Sequence, residues 1–363
     1  MGDRKSAYRG CFLGLAVGDA MGFTVDDKSW EQICDDYGPN GLLGYDLVNG
    51  CAEVTSYTQV AAYVANALLL GVSRGKPSSY LNYISQAMRL WAKRQYFPRD
   101  PEKNLFWVSQ VEQLRRRNCR DARMLDALRF ETLGTPEKPI NAAASPGAIL
   151  TGAVIGLFYD SKRLEPPQIG TLTVQAVSLT HGDPESYLAA AALAYSIAGV
   201  IQEPERPLRE QFLQAAQVVD GQFRSQYPQA NQLAARMKLA VKLADSGDEE
   251  PRVVMERLGC TSAGECLAGA IYACLRSQED FDAAMILAVN HSGRSAAVGA
   301  VTGAILGARL TDAALPDFYL ESLESAKVLQ TLAEDLAVGS PTVSLFDDDW
   351  DQKYVQGLPV GDF

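Results

Sequence analysis

The chain has 363 residues, with 33 Lys and Arg against 44 Asp and Glu, a net charge of −11 with both histidines neutral. Its isoelectric point is near 4.8, which argues against non-specific attachment to nucleic-acid phosphates or an anionic membrane, since both need a cationic face. Hydrophobic residues make up 47% and charged residues 21%, which excludes wholesale disorder. A chain of this size can bury roughly three quarters of its unfolded surface, in one large domain or two.

In chain order, Met1 to Arg9 is polar and runs into an amphipathic segment with no cleavage site, so no secretory leader is expected. Helical periodicity then recurs over Ser56–Gly71, Tyr80–Lys93, Val108–Arg117, Asp121–Leu133, Gly147–Phe158 and Pro167–Leu179. It continues over Pro184–Ile201, Pro207–Arg224, Asn231–Ala244, Ala263–Arg276, Phe281–Val289 and Ser295–Leu310. Asp121, Asp183-Pro184 and Pro207 are start signals. Alternating β-branched runs are nearly absent, so the expected fold is all-α: a compact helical domain over residues 1–338. From Gly339 the helical period stops, and Asp347, Asp348, Asp349 and Asp351 surround Trp350. Residues 339–363 are read as an acidic tail, a strap or partly ordered end, without the loop and turn glycine of a calcium site.

Gly14–Gly22, Ala189–Gly199 and Gly299–Arg309 are rich in small residues, which lets helices cross closely at the centre of a bundle. The most apolar stretch, Tyr187–Ile201, is short of a membrane span and reads as a core helix, in keeping with a mean hydropathy of −0.08. The seven cysteines include Cys260, Cys266 and Cys274 at helical intervals with no paired Cys-x-x-Cys, so zinc is not expected and a reducing cytoplasm is. Arg115, Arg116, Arg117, Arg120 and Arg123 read as a solvated basic face.

Four loops place polar residues beside glycine or at helix starts: Gly18 to Gly22 with Asp26 and Asp27 after it, Val54 to Gln59, Leu179 to Glu185, and Asn290 to Ser295. Both histidines, His181 and His291, lie in them. Ser56 and Thr58 can cap one helix and Ser292 or Ser295 another, and capping alone explains them. The competing reading is a phosphate or ribose cradle at two helix N-termini, with the forked guanidinium of Arg294 suited to phosphate.

The order of Gly18-Asp19-Ala20, Thr55 to Gln59, Thr180-His181 and Asn290 to Gly303 resembles the ADP-ribosylglycohydrolase family, which includes the enzyme that removes ADP-ribose from dinitrogenase reductase. The resemblance spans roughly Tyr8 to Leu310. It implies a compact helical domain with a central pocket and Mg²⁺-dependent release of ADP-ribose. The metals would be held by a Thr-Asp-Asp-Thr loop and a Gly-Gly-Asp-Thr-Asp-Thr loop. Carried over residue by residue, the first loop reads Thr55, Ser56, Tyr57, Thr58, and the second reads Ser292, Gly293, Arg294, Ser295, Ala296, Ala297. The four aspartates are absent, while a family glutamate corresponds to Asp26. Asn141 to Gly147 falls where the family carries a Gly-rich loop at the pocket edge.

On that resemblance no metal or other cofactor is expected, because hydroxyls cannot neutralise divalent ions. Arg294 would replace a cation, pairing with Asp19 or Asp26 or reaching a ligand phosphate. The candidate ligand-binding set is Thr55, Ser56, Tyr57, Thr58, His181, Asn290, His291, Ser292, Gly293, Arg294 and Ser295, with Asp26 and Asp19 as candidate catalytic carboxylates. Three functions follow: a binder of ADP-ribose or a related nucleotide sugar without Mg²⁺-dependent hydrolysis, a metal-independent ADP-ribosyl hydrolase using Asp26 or Asp19 as general base, or a non-catalytic scaffold. The expected partner is an ADP-ribose-like small molecule or an ADP-ribosylated substrate.

Overall fold

The structure, a computed structural model, describes residues 2–75, 79–99, 103–159, 164–339, 348–361 and 363. These residues hold seventeen α-helices and no strand. The first six are α1 (Gly2–Val25), α2 (Trp30–Tyr37), α3 (Ser56–Ser73), α4 (Tyr80–Tyr96), α5 (Ala122–Leu128) and α6 (Leu150–Phe158). Next come α7 (Pro166–Ser178), α8 (Pro184–Gln202), α9 (Leu208–Phe223), α10 (Gln229–Ser246), α11 (Pro251–Leu258) and α12 (Ala263–Arg276). The last are α13 (Phe281–Val289), α14 (Ser295–Leu310), α15 (Asp317–Ser322), α16 (Ala326–Val338) and α17 (Asp348–Asp351). The all-α expectation holds.

The small-residue segments form two seams. Gly10, Gly14, Gly18 and Gly22 recur every four residues, so they share one stripe of α1. A Cβ on any of them would stand 2.0–2.3 Å from the carbonyl oxygen of Gly307, Gly303, Gly299 or Ser295, in that order. That order makes α1 and α14 antiparallel with touching backbones. It also brings the C-terminal end of α1 beside the N-terminus of α14. In the second seam, Gly152 and Gly156 of α6 meet Ala190 and Ala194 of α8, with a Cβ 2.0 and 2.5 Å from their carbonyls. Helix α8 has the length and apolar composition of a membrane span, yet Leu188 to Ala194 are buried and the helix packs on α6, α7 and α9.

One expected helix is replaced. Val108–Arg117 forms two short 3₁₀ turns, Trp107–Gln110 and Gln113–Arg115. Asn66 accepts from the Val108 N–H (3.3 Å) and Asn104 from the Phe106 N–H (2.8 Å), which pins the start of this segment.

Residues 340–347, including Asp347, lie outside the described residues. Beyond them, the buried Trp350 donates to Ser73 Oγ (2.8 Å), while Lys353 and Tyr354 reach Asp335 on α16 (2.5 and 2.6 Å). Phe363 stacks on Trp107 with ring centroids 5.3 Å apart. The described end of the chain is therefore docked on α3 and α16.

Candidate functional site

The two carboxylates on and just after the C-terminal half of α1 each meet the start of another helix. Asp19 is fully buried and accepts four hydrogen bonds, from Thr55 N–H (2.9 Å), Thr55 Oγ1 (2.6 Å), Thr58 N–H (3.1 Å) and Thr58 Oγ1 (2.6 Å). Burial pushes its pKa up to about 6, against the pull of those donors. Asp26 accepts from the Ala296 N–H (3.2 Å) in the first turn of α14.

Both helix starts are thus neutralised from α1. An anionic acceptor suits the helix dipole better than a hydroxyl does. This changes the expected capping. Thr55 is the N-cap of α3, Ser56 and Thr58 lie inside its first turn, and Arg294 sits at the N-cap of α14 with no side-chain cap bond.

Ser56 has a different task. Its N–H donates to Asn118 O (2.9 Å), and its hydroxyl accepts from the Arg120 N–H (2.9 Å). That fixes the segment carrying Arg120, whose guanidinium grips Asp26 through Nε (3.0 Å) and Nη2 (2.9 Å) and lies 5.2 Å from the Phe23 ring centroid. Arg120 Nη2 also reaches Asp27 (3.2 Å), as does Arg294 Nη1 (3.1 Å). The result is an alternating chain of charges, Asp26–Arg120–Asp27–Arg294. Arg294 was expected to pair with Asp19 or Asp26; it pairs with Asp27 because Asp19 is committed to α3 and Arg120 takes Asp26.

Tyr57 points inward. Its phenol is buried, and burial first, then Asp26, Cys266 and Asp121, push its pKa well up, while Arg294 pulls the other way. On the same side, Asp121 caps α5 and accepts from Ser145 Oγ (2.6 Å), and it lies 3.1 Å from His181 Nε2. Burial pushes the Asp121 acid up, but bonds from His181, Ser145 and the Met124 N–H more than offset it, and its pKa ends below the usual carboxylate range. His181 Nδ1 is 2.8 Å from Thr180 Oγ1. A Cβ on Gly147 would stand 2.3 Å from Asp121 Oδ2, so the 141–147 loop closes on this pair.

The Asn290–Ser295 loop divides. Arg294 joins the charge chain, and Gly293 O accepts from the Asp27 N–H (3.4 Å). Asn290 instead clamps the Leu42 backbone, accepting from its N–H (2.8 Å) and donating to its carbonyl (2.9 Å). Ser292 accepts from the Trp30 N–H (2.8 Å) and donates to Glu256 (3.0 Å), and Ser295 Oγ donates to His291 O (3.4 Å). These three residues bond to scaffold: Leu42, Trp30, Glu256 and His291 all lie outside the charge chain.

His291 is buried, with Nε2 3.0 Å from Ala288 O and Nδ1 without a hydrogen-bond partner. Burial lowers its pKa to about 4. The unfolded chain takes up that proton near pH 6.5, so acidification between about 6.5 and 4 favours unfolding by up to about 3 kcal/mol from this residue. Urea titrations at pH 7, 5.5 and 4.5 on the wild type and His291→Gln should show the wild type losing more stability in acid. Parallel losses would contradict the buried neutral imidazole.

Arg120 and Asp121 are members of this site that the sequence did not disclose: Asp121 reads there only as a helix start. The arginine-rich surroundings of Arg120 look like a solvated face, and only the packing on Phe23 and Asp26 reveals its place.

A family model described as ADP-ribosylglycohydrolase matches residues 1–344. A protein of Archaeoglobus fulgidus, described as uncharacterized, is 25% identical over 341 residues, covering 92% of this chain and 96% of its own. A solved structure described as an ADP-ribosylglycohydrolase-related protein complex is 25% identical with a TM-score of 0.59, covering 94% of this chain and 100% of its own.

Proposed function

The chain belongs to the ADP-ribosylglycohydrolase family, and from that premise we propose that it binds ADP-ribose or a related nucleotide sugar without Mg²⁺-dependent hydrolysis. The observation that carries this reading is the Asp26–Arg120–Asp27–Arg294 chain, in which Arg294 stands at the position where the resemblance puts a metal-binding aspartate and Asp26 where it puts a family glutamate.

A divalent ion matches this donor set poorly. Mg²⁺ requires octahedral oxygen donors, usually with one or two carboxylates. Asp26 and Asp27 are bound to guanidinium groups, Asp19 to α3, and Asp121 to His181 and Ser145. Among the described residues, no group of three or more His, Cys, Asp or Glu side chains is arranged to hold a metal ion. Arg120 and Arg294 supply fixed positive charge instead, and a planar guanidinium pairs well with phosphate oxygens.

The same geometry disfavours Asp26 as a base. Its side chain is fully buried and paired with Arg120 on one oxygen and Ala296 N–H on the other. It positions Arg120.

Titration calorimetry with ADP-ribose is the test. Binding is expected to be unchanged by EDTA, and Arg294→Ala is expected to weaken it roughly 10- to 100-fold, the value of a charge-assisted hydrogen bond. Binding that needs Mg²⁺, or Mg²⁺-dependent release of ADP-ribose from ADP-ribosyl-arginine, would overturn the reading.

A further inference from the structure

The four members of the charge chain are not equivalent. Asp26 is buried, and Arg120 holds it through two nitrogens at 2.9 and 3.0 Å. Asp27 is the outer member, with its side chain 55% exposed. It bridges Arg120 and Arg294, themselves 23% and 31% exposed, at 3.1–3.2 Å. An ion pair this exposed contributes little to stability, because solvent screens it and two side chains must be ordered to make it.

The backbone beneath is equally weakly held. Asp27 has φ +65°, a left-handed conformation that aspartate adopts at some cost. Its N–H reaches Gly293 O only at 3.4 Å. The chain as it stands is neutral, two acids against two bases. Withdrawing the Asp27 carboxylate would leave one net positive charge, facing solvent and divided between two forked donors.

We propose that Asp27 is an internal competitor: its carboxylate occupies the position taken by the phosphate or diphosphate of an incoming nucleotide and swings into solvent when that group binds. The inference rests on the anionic-ligand reading above and adds the residue that sets its affinity. A diphosphate brings more charge and more acceptor oxygens than one carboxylate, so it displaces Asp27 from both guanidinium groups while Asp26 keeps Arg120 oriented. A neutral nucleoside meets no such competition and gains nothing from Asp27's departure.

The test compares wild type, Asp27→Asn and Asp27→Ala by calorimetry against ADP-ribose, inorganic pyrophosphate and uncharged adenosine, with circular dichroism melts to establish folding. Asparagine keeps the shape and removes only the charge, so it serves if the alanine variant is unstable. Both variants are expected to bind ADP-ribose and pyrophosphate roughly two- to fivefold more tightly than wild type, the scale of one exposed ion pair. Adenosine affinity should not move. If wild type binds ADP-ribose and the variants bind it equally or more weakly, Asp27 is no competitor and the proposal falls while the binding function stands. If neither wild type nor folded variants bind any of the anions, both readings fall.

Discussion

Gly18→Val is expected to prevent native folding altogether. A Cβ at Gly18 would stand 2.0 Å from Gly299 O, 2.2 Å from Gly299 C and 2.8 Å from Ala300 N. All three are backbone atoms, so no rotamer change gives relief and α1 and α14 must separate. Overpacking a core against movable side chains already costs about 1–3 kcal/mol. Here two helix backbones must part, and the partner glycines above and below lose their contacts too. A loss that exceeds the few kcal/mol by which a domain outweighs its unfolded state leaves no native population. The expected readout is a chain without a cooperative thermal transition, or one recovered only from aggregates. Gly221→Ala is the matched control. It lies inside α9, exposed, and a Cβ there meets nothing within 4 Å, so it should raise stability by about 0.5–1 kcal/mol through helix propensity. A Gly18→Val protein that melts like wild type would mean that the seam is looser than these distances state.

The glycine seam and the charge chain differ in how far a sequence betrays them. Glycine every fourth residue, twice, is a local pattern whose only economical reading is close helix approach, and the all-α class follows from periodicity that each segment carries by itself. The Ser29 to Gln32 capping box of α2 is also there to be read, but its helix is eight residues long, too short for a periodic stripe to stand out. The site is another matter. Thr55, Tyr57, His181 and Arg294 are visible because their loops set polar residues beside glycine or at helix starts, and a family resemblance orders those loops. Which carboxylate each base chooses depends on the antiparallel docking of α1 on α14 and on the path of residues 118–121, and no spacing rule encodes either. Arg120 lies 94 positions from Asp26 along the chain, and its neighbours Arg115 to Arg117 disguise it. Ser56 shows the reverse problem. A substitution that looks like a lost ligand is, in the fold, the acceptor that seats Arg120.

Asp19→Ala should cost the protein about 3 kcal/mol or more, because it strands four buried donors whose unmet bonds are worth about 1–3 kcal/mol each, partly offset by removing a desolvated charge. The four donors, on Thr55 and Thr58, sit where no water enters, since both residues are 0% exposed. The damage should be local first: amide exchange at Thr55 and Thr58 should accelerate before that of the α1–α14 seam, since the seam does not use Asp19's side chain. Asp19→Asn separates charge from shape. Its one carbonyl oxygen can take the three-donor position now held by Oδ2, and the Thr55 hydroxyl can turn to accept from the amide, so it should lose less than alanine. The two variants also carry a pH signature. Folded Asp19 titrates near 6 and the unfolded residue near 4, so the native state holds the extra proton in that window, and wild type loses stability relative to Asp19→Asn as pH rises through it. That slope is opposite in sign to the one assigned to His291, so the two are separable only as differences between wild type and each variant. Should the alanine variant unfold at the wild-type urea midpoint with unchanged exchange at Thr58, the donors of α3 must have found other acceptors, and Asp19 would not be the pin that joins α1 to the site.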